Sequence, residues 1–268
     1  MIILLQVASA ESVDMDQYSA GPFGNPTRYK TGAGNSEIKG AFERPLSVSR
    51  CIYIAVNQSR SWLPDPVGGL MWVGLDKPAE NCFMPVYAGV NNMPPSFVRG
   101  TMLRYDPESA WWTFNLVANY ATIKYSYMIK DIQSQQKKLE DNEFRQKPII
   151  EKKAAALWKQ GKKQQCRDYL TTYCEDNAAD IVASWKNLWE QLVVTYNDGY
   201  RIGPEGEKET PGYPAKWLKD VGYEDGPTKY QKYPYFWESF LHDHFQLWLS
   251  NFDILSCHSC FHRRLRGP

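Results

Sequence analysis

Cysteine and histidine are the side chains here best suited to nucleophilic or metal chemistry, and they are unevenly spread. The six cysteines are Cys51, Cys82, Cys166, Cys174, Cys257 and Cys260, and all four histidines (His242, His244, His258, His262) lie near the C-terminal end. A thiol attacks as its thiolate, so it needs a base or a positive charge beside it. Cys51 meets part of that need on paper, since cleavage after Arg50 would expose an α-amine on the same residue. Its neighbours Ile52-Tyr53-Ile54-Ala55-Val56 read as a strand, where a buried structural thiol is the expected state. Cys51 is therefore a secondary candidate for the nucleophile.

His242, His244, Cys257 and Cys260 contain enough ligands for a tetrahedral zinc site. They include one Cys-x-x-Cys pair, and the spacing fits no familiar zinc module, so a disulfide or plain surface residues are expected there instead. Cys166 and Cys174 lie about two turns apart on or next to one predicted helix, too far for a mutual bridge. A second group of candidates could line a substrate cleft. Asn57, Arg60 and Trp62 stand beside a strand end, and the paired donors of Arg60 would suit a peptide carboxylate, with a strand-edge salt bridge as the equal alternative. Trp72, Asp76 and Tyr87 could wall the same cleft, against a reading as ordinary buried packing. Gly68-Gly69 lacks the following Lys-Ser/Thr of a phosphate loop and reads as a tight turn.

Several elements must position these groups. The apolar opening Met1-Ile2-Ile3-Leu4-Leu5-Gln6-Val7 reads as a strand of the protein body and imitates a signal peptide without its basic start. Residues 19–45 are rich in Gly, Pro, Asn and Ser and read as loop. Strands are expected at Arg50–Val56, Gly68–Leu75 and Cys82–Tyr87, separated by Pro64, Pro66 and Pro78. Such nearly continuous apolar strands imply a sheet covered on both faces. A helix is expected to start with Asp106 as cap and Pro107 at its first position, carrying Trp112, Leu116, Tyr120, Ile123 and Tyr127 as one apolar stripe. The pattern fades through the polar run Gln133–Asn142. Further helices are expected at 149–160 (stopped by Gly161), 163–173, 178–196 (capped near Gly199) and 235–249, with a Gly-, Pro- and Tyr-rich loop at 200–235. Strands followed by helices define an α+β fold, divided here into 1–235 and a helix with a Cys/His/Arg-rich tail at 236–268.

Composition narrows the function. Lysine and arginine number 31 against 30 acidic residues, so no net field draws the chain to nucleic acid. No apolar run is long enough to span a membrane. Aromatic residues at 14% suit a packed body with ring-lined clefts.

Three stretches then carry a resemblance. They are Pro22-Phe23-Gly24-Asn25-Pro26 with Glu43-Arg44-Pro45; Gln58-Ser59-Arg60-Ser61-Trp62-Leu63-Pro64 running into Gly68–Asp76; and Asn81-Cys82-Phe83-Met84-Pro85-Val86-Tyr87-Ala88-Gly89-Val90. With Ser109–Asn115 and Tyr196-Asn197-Asp198-Gly199-Tyr200, the order resembles the second half of the dipeptidase A group of N-terminal-nucleophile cysteine dipeptidases, relatives of the secernins. The resemblance implies an αββα sandwich of which this chain is the C-terminal part. It also implies hydrolysis of a dipeptide or short peptide without metal or organic cofactor, by a cysteine whose own α-amine is the base. The Cys-Thr-Thr-type opening strand of that family is not found in this sequence, so the expectation is a dipeptidase fragment lacking its nucleophile. The alternative is a catalytically inactive binding or regulatory relative that keeps the peptide cleft. Self-association or pairing with a missing N-terminal half would cover exposed sheet edges. A secreted or lysosome-like compartment is the expected location.

Overall fold

A computed structural model describes residues 22–25, 47, 51–220 and 222, and the structural statements below concern those residues. The opening strand, the loop at 26–46, the helix at 235–249 and the Cys/His-rich tail lie outside them. The described residues up to Leu218 belong to one compact unit, and the boundary expected at 235 falls outside the described residues.

Three strands form an antiparallel sheet in the order β1 (Tyr53–Ser59), β2 (Gly69–Leu75) and β3 (Met84–Tyr87). A helical turn, α1 (Asp65–Gly68), begins behind Pro64 and links β1 to β2. The strands are fixed in register by Tyr53 opposite Leu75 and by Leu70 opposite Tyr87. Gly68 and Gly69 are the tight junction that their spacing suggests. A Cβ on Gly68 would sit 2.7 Å from the Arg60 carbonyl, and one on Gly69 would sit 2.8 Å from the Ala88 methyl.

Helix α2 spans Ala110–Ala121, α3 spans Tyr125–Lys159 and α4 spans Lys163–Thr195; a two-strand hairpin, β4 (Arg201–Ile202) with β5 (Lys208–Glu209), and α5 (Ala215–Asp220) follow. The class is α+β. Helix α2 starts three residues later than Asp106-Pro107 suggests, with Ser109 at the cap position. Asp106 instead closes a turn, its carboxylate accepting from the Glu108 amide at 2.9 Å and from the Arg99 guanidinium. The expected stripe is also replaced. Phe114, Val117, Ala118 and Ala121 are the buried face of α2, whereas Ile123 is exposed and falls in the turn before α3. Small residues at 118 and 121 let the backbone of α2 come close, and Phe114 packs on Trp185 of α4 with ring centroids 5.0 Å apart.

The three helices expected between 149 and 196, with the polar run before them, are two long ones. Gly161, with φ of +77°, reverses the chain between α3 and α4. The two run antiparallel, with Asn177 reaching Glu143 at 2.7 Å and the Tyr196 hydroxyl donating to Asp131 at 2.6 Å. Pro148 removes one backbone donor inside α3, yet α3 continues, because Ile150 and Ala154 beyond it are held in the core. The base of this hairpin joins α2 in a core over one sheet face, where Val73, Leu75, Met84 and Val86 point. Its far half covers the other face, where Leu70, Trp72 and Tyr87 meet Ile150, Ala154 and Leu170.

Replacing Phe114 with Ala should lower stability by roughly 3–5 kcal/mol, whereas Leu116→Ala, on the stripe that periodicity suggests, should cost far less. Urea unfolding of the two variants measures the difference, and equal losses would reject the face assignment.

Candidate functional site

Nearly every candidate group from the sequence falls on or beside the sheet, but in separate places. Arg60, just past β1, turns its guanidinium into the second core. It donates to the carbonyls of Gly68 at 3.2 Å and Val67 at 2.7 Å and forms an ion pair with Glu151 of α3. Glu151 also accepts from the Tyr87 hydroxyl at 3.2 Å and meets Lys147 one turn earlier at 3.0 Å. Trp72 lies beside this group, stacked on Phe144 at 5.1 Å with its indole N–H on Gln58. The fold therefore gathers Arg60 and Tyr87 around a carboxylate absent from the sequence-based candidates, in the salt-bridge arrangement held open as the alternative for Arg60, and Trp72 shares their core without touching that carboxylate. Burial and the Glu151 charge push the Tyr87 phenol far above its ordinary value, so it stays a neutral donor.

Asn57 and Trp62 face outward, Trp62 being 77% exposed, and neither contacts that group. Asp76 lies at the opposite end of β2, buried, with φ of +63° that few non-glycine residues adopt. Asn115 donates to one of its oxygens at 3.1 Å, and the other oxygen has no partner among the described residues. Around it Lys77, Glu80 and Asn81 are buried too. Lys77 Nζ donates to the Ala118 carbonyl at 3.3 Å, and Ser47 donates to Glu80 at 3.0 Å. This polar cluster has no periodicity to announce it; only the strained turn at Asp76 gathers it.

Two glutamates anchor the segment between β2 and β3. Glu80 lies within it, and Glu140 of α3 accepts from the Phe83 amide at 3.1 Å. Burial raises both carboxyls from 4.5 to about 7, partly offset at Glu80 by Lys77 and at Glu140 by the Phe83 bond. Burial also holds Glu143 well above its ordinary value.

The described thiols are in the opposite state from an attacking group. Burial raises Cys51, with the Asp76 charge adding to it, and its Sγ lies 3.6 Å from the Tyr53 carbonyl. Cys82, shut between the core and the charges of Glu143 and Glu140, is held far above the usual thiol range. Cys166 is raised by burial, and Cys174 is pushed to about 12. All four are free, so Cys166 and Cys174 form no bridge. His242, His244, Cys257 and Cys260 lie outside the described residues, and no group of three or more His, Cys, Asp or Glu among the described ones could hold a metal ion. No described helix is long and apolar enough to cross a membrane.

The motif residues Phe23 and Asn25 dock on the junction of α2 and α3. The Phe23 carbonyl accepts from Ser126 at 3.0 Å, its ring meets Tyr127 and Tyr213, and Asn25 donates to Thr122 at 3.4 Å. The stretches that carry the resemblance are thus the sheet, its turns and the helix junction that supports it. Residues 10–138, which contain all of these up to the first part of α3, match the model of peptidase family C69. Over that stretch, just under half of its length, the chain is similar to peptidase family C69. A probable dipeptidase B of Lactococcus lactis subsp. lactis (strain IL1403) is 28% identical over 81 residues, covering 30% of this chain and 17% of that protein's length.

Two outcomes follow from the buried carboxylates. Glu151→Ala leaves the Arg60 guanidinium buried without its counter-charge and should cost roughly 3–5 kcal/mol, read by thermal or urea unfolding. Glu80 and Glu140 have folded values above the unfolded 4.5, so the stability they contribute is complete below about pH 4.5 and is lost as pH rises through about 7. Glu140→Gln should therefore reduce the loss of stability between pH 5 and pH 8 by roughly 1–3 kcal/mol, and an unchanged pH profile would refute the assignment.

Proposed function

We propose that the chain is the cleft-bearing part of a cysteine-type dipeptidase that hydrolyses short peptides, with its attacking thiol outside the four described cysteines. The match of residues 10–138 to peptidase family C69 carries this reading. The reaction class sets the chemistry. A thiolate adds to the scissile carbonyl, hydrogen-bond donors stabilise the resulting oxyanion, and the amine leaves with a proton returned by the base. In the N-terminal-nucleophile variant the base is the α-amine of the attacking cysteine itself. Cys51 fits this poorly, because burial and the neighbouring Asp76 charge both oppose loss of its proton. The nucleophile is therefore placed on polypeptide beyond residues 51–220, and an amino-terminal cysteine there is the form this proposal takes.

The same thiol chemistry favours a second reading: a binding or regulatory relative that retains the peptide cleft without turnover. A secreted or lysosome-like compartment belongs to the proposal.

The test is a dipeptide hydrolysis assay on the 268-residue protein, beside Cys51→Ala and a Cys257→Ala/Cys260→Ala double variant. Under the first reading the 268-residue protein binds short peptides without hydrolysing them, and hydrolysis appears when an amino-terminal half that begins with cysteine is supplied. Peptide binding that stays without hydrolysis when that half is supplied selects the second. Hydrolysis that vanishes in Cys51→Ala alone would overturn the placement of the thiol.

A further inference from the structure

Among the described residues the sheet has two edges, β1 and β3, and the β1 edge is unusual in what it lacks. Strand β1 reads Tyr-Ile-Ala-Val-Asn-Gln-Ser over Tyr53–Ser59, without a charge, a proline or a glycine. Exposed edges ordinarily carry such features to prevent pairing with another chain. The direction of its backbone groups follows from the ladder to β2. The Asp76 amide donates to the Ile52 carbonyl at 3.0 Å, and the Arg60 amide donates to the Gly68 carbonyl at 3.2 Å, so the even-numbered residues of β1 face β2. The N–H and C=O groups of Tyr53, Ala55, Asn57 and Ser59 therefore point to the open side. The side chains of these four residues are exposed as well.

An apolar surface continues from this edge. A groove of about 380 Å³ runs across the sheet face, lined by Ile52, Tyr53, Met71, Val73, Met102 and Trp112 among others. Ile52, Tyr53, Val98, Met102, Leu103 and Tyr105 make up most of the large apolar side chains that stand more than half exposed, with Leu103 at 97%. Single exposed apolar residues are normal, but an apolar patch beside an open strand edge marks an interaction surface. On its rim Arg99 is paired with Asp106 at 2.9 Å.

We propose that this edge and face pair with the same edge and face of a second copy of the chain, extending the sheet antiparallel across a twofold axis at Val56. Such a contact sets each residue against a residue of its own strand. A charged strand would then meet its own charge, and β1 has none. In this register Ala55 lies opposite Asn57 of the second copy, and both residues direct their open backbone groups at each other. The neutral sequence and the direction of the odd-numbered backbone groups are therefore complementary to themselves.

The experiment is sedimentation velocity on the full chain across a concentration series, with two double variants at exposed positions, Ala55→Lys/Asn57→Lys and Ala55→Glu/Asn57→Glu. The wild type should dimerise. Each variant alone should dimerise about tenfold more weakly, because like charges then stand directly opposite each other. Mixing the lysine and glutamate variants should restore a heterodimer, which damage to folding would not do. As a measurement that needs no variant, hydrogen exchange at the amides of Tyr53, Ala55, Asn57 and Ser59 should slow as wild-type concentration rises. A wild type that stays monomeric overturns the proposal and means that the edge is covered by residues 1–50 of the same chain or by another polypeptide. Dimers indifferent to the charges, or edge amides indifferent to concentration, also overturn it.

Discussion

The ion pair between Arg60 and Glu151 is the constraint on which this architecture turns. A guanidinium and a carboxylate have been taken out of water together; removing the carboxylate leaves the guanidinium buried and unmatched, and removing the guanidinium leaves the carboxylate with Lys147 as its counter-charge. Their partners reach in three directions: the α1 turn through the Val67 and Gly68 carbonyls, the edge of the sheet through Tyr87, and the next turn of α3 through Lys147. One pair thereby fixes how the long helical hairpin lies against the strands. The close approach of Gly68 to the Arg60 carbonyl belongs to the same arrangement, since any side chain there would push the turn away from the guanidinium.

Around that pair the protein uses carboxylates as internal clamps. Glu140 holds the Phe83 amide, Glu143 holds Asn177 across the hairpin, and Glu80 holds Ser47. Each gains bonds and loses hydration, and burial wins at Glu80, Glu140 and Glu143, whose values rise rather than fall. The same dry, acidic surroundings keep Cys82 protonated. A sheet built in this way offers binding walls and hydrogen-bond donors. It does not offer an ionised sulfur among the described residues, and the proposed peptidase chemistry must draw its nucleophile from elsewhere. Where the sheet lacks such clamps, along β1, it presents uncharged backbone and apolar side chains outward.

Local order was legible in the sequence; distances along the chain were not. Proline and glycine punctuation located β2 and β3 to within a residue or two and marked the reversal at Gly161. The α+β class followed from strands preceding helices. The stretches that carry the resemblance, except Tyr196–Tyr200, also fall within residues 10–138, which match the model of family C69. The helices were misjudged for a specific reason. The run from Gln133 to Asn142 reads as polar, although Glu140 and Glu143 are buried, and hydropathy alone cannot tell a carboxylate in water from one bonded inside a core. The Asp106-Pro107 pair failed likewise, because its side chain had a stronger local partner in Arg99 than in a helix start.

What the sequence determined by itself is what depends on neighbouring residues: the strand segments, the turns between them, the helix-stopping glycine, and the cysteine count that any thiol mechanism must use. Only the tertiary structure decided which candidates meet. Arg60 and Tyr87 converge on a glutamate from α3, Trp72 packs on Phe144 in the same core, Asp76 joins a separate buried cluster, and Asn57 and Trp62 remain at the surface. It also decided that burial keeps the described thiols protonated. The reason is that proton affinity and pairing are set by what surrounds a group in space, and those surroundings come from parts of the chain far apart in sequence.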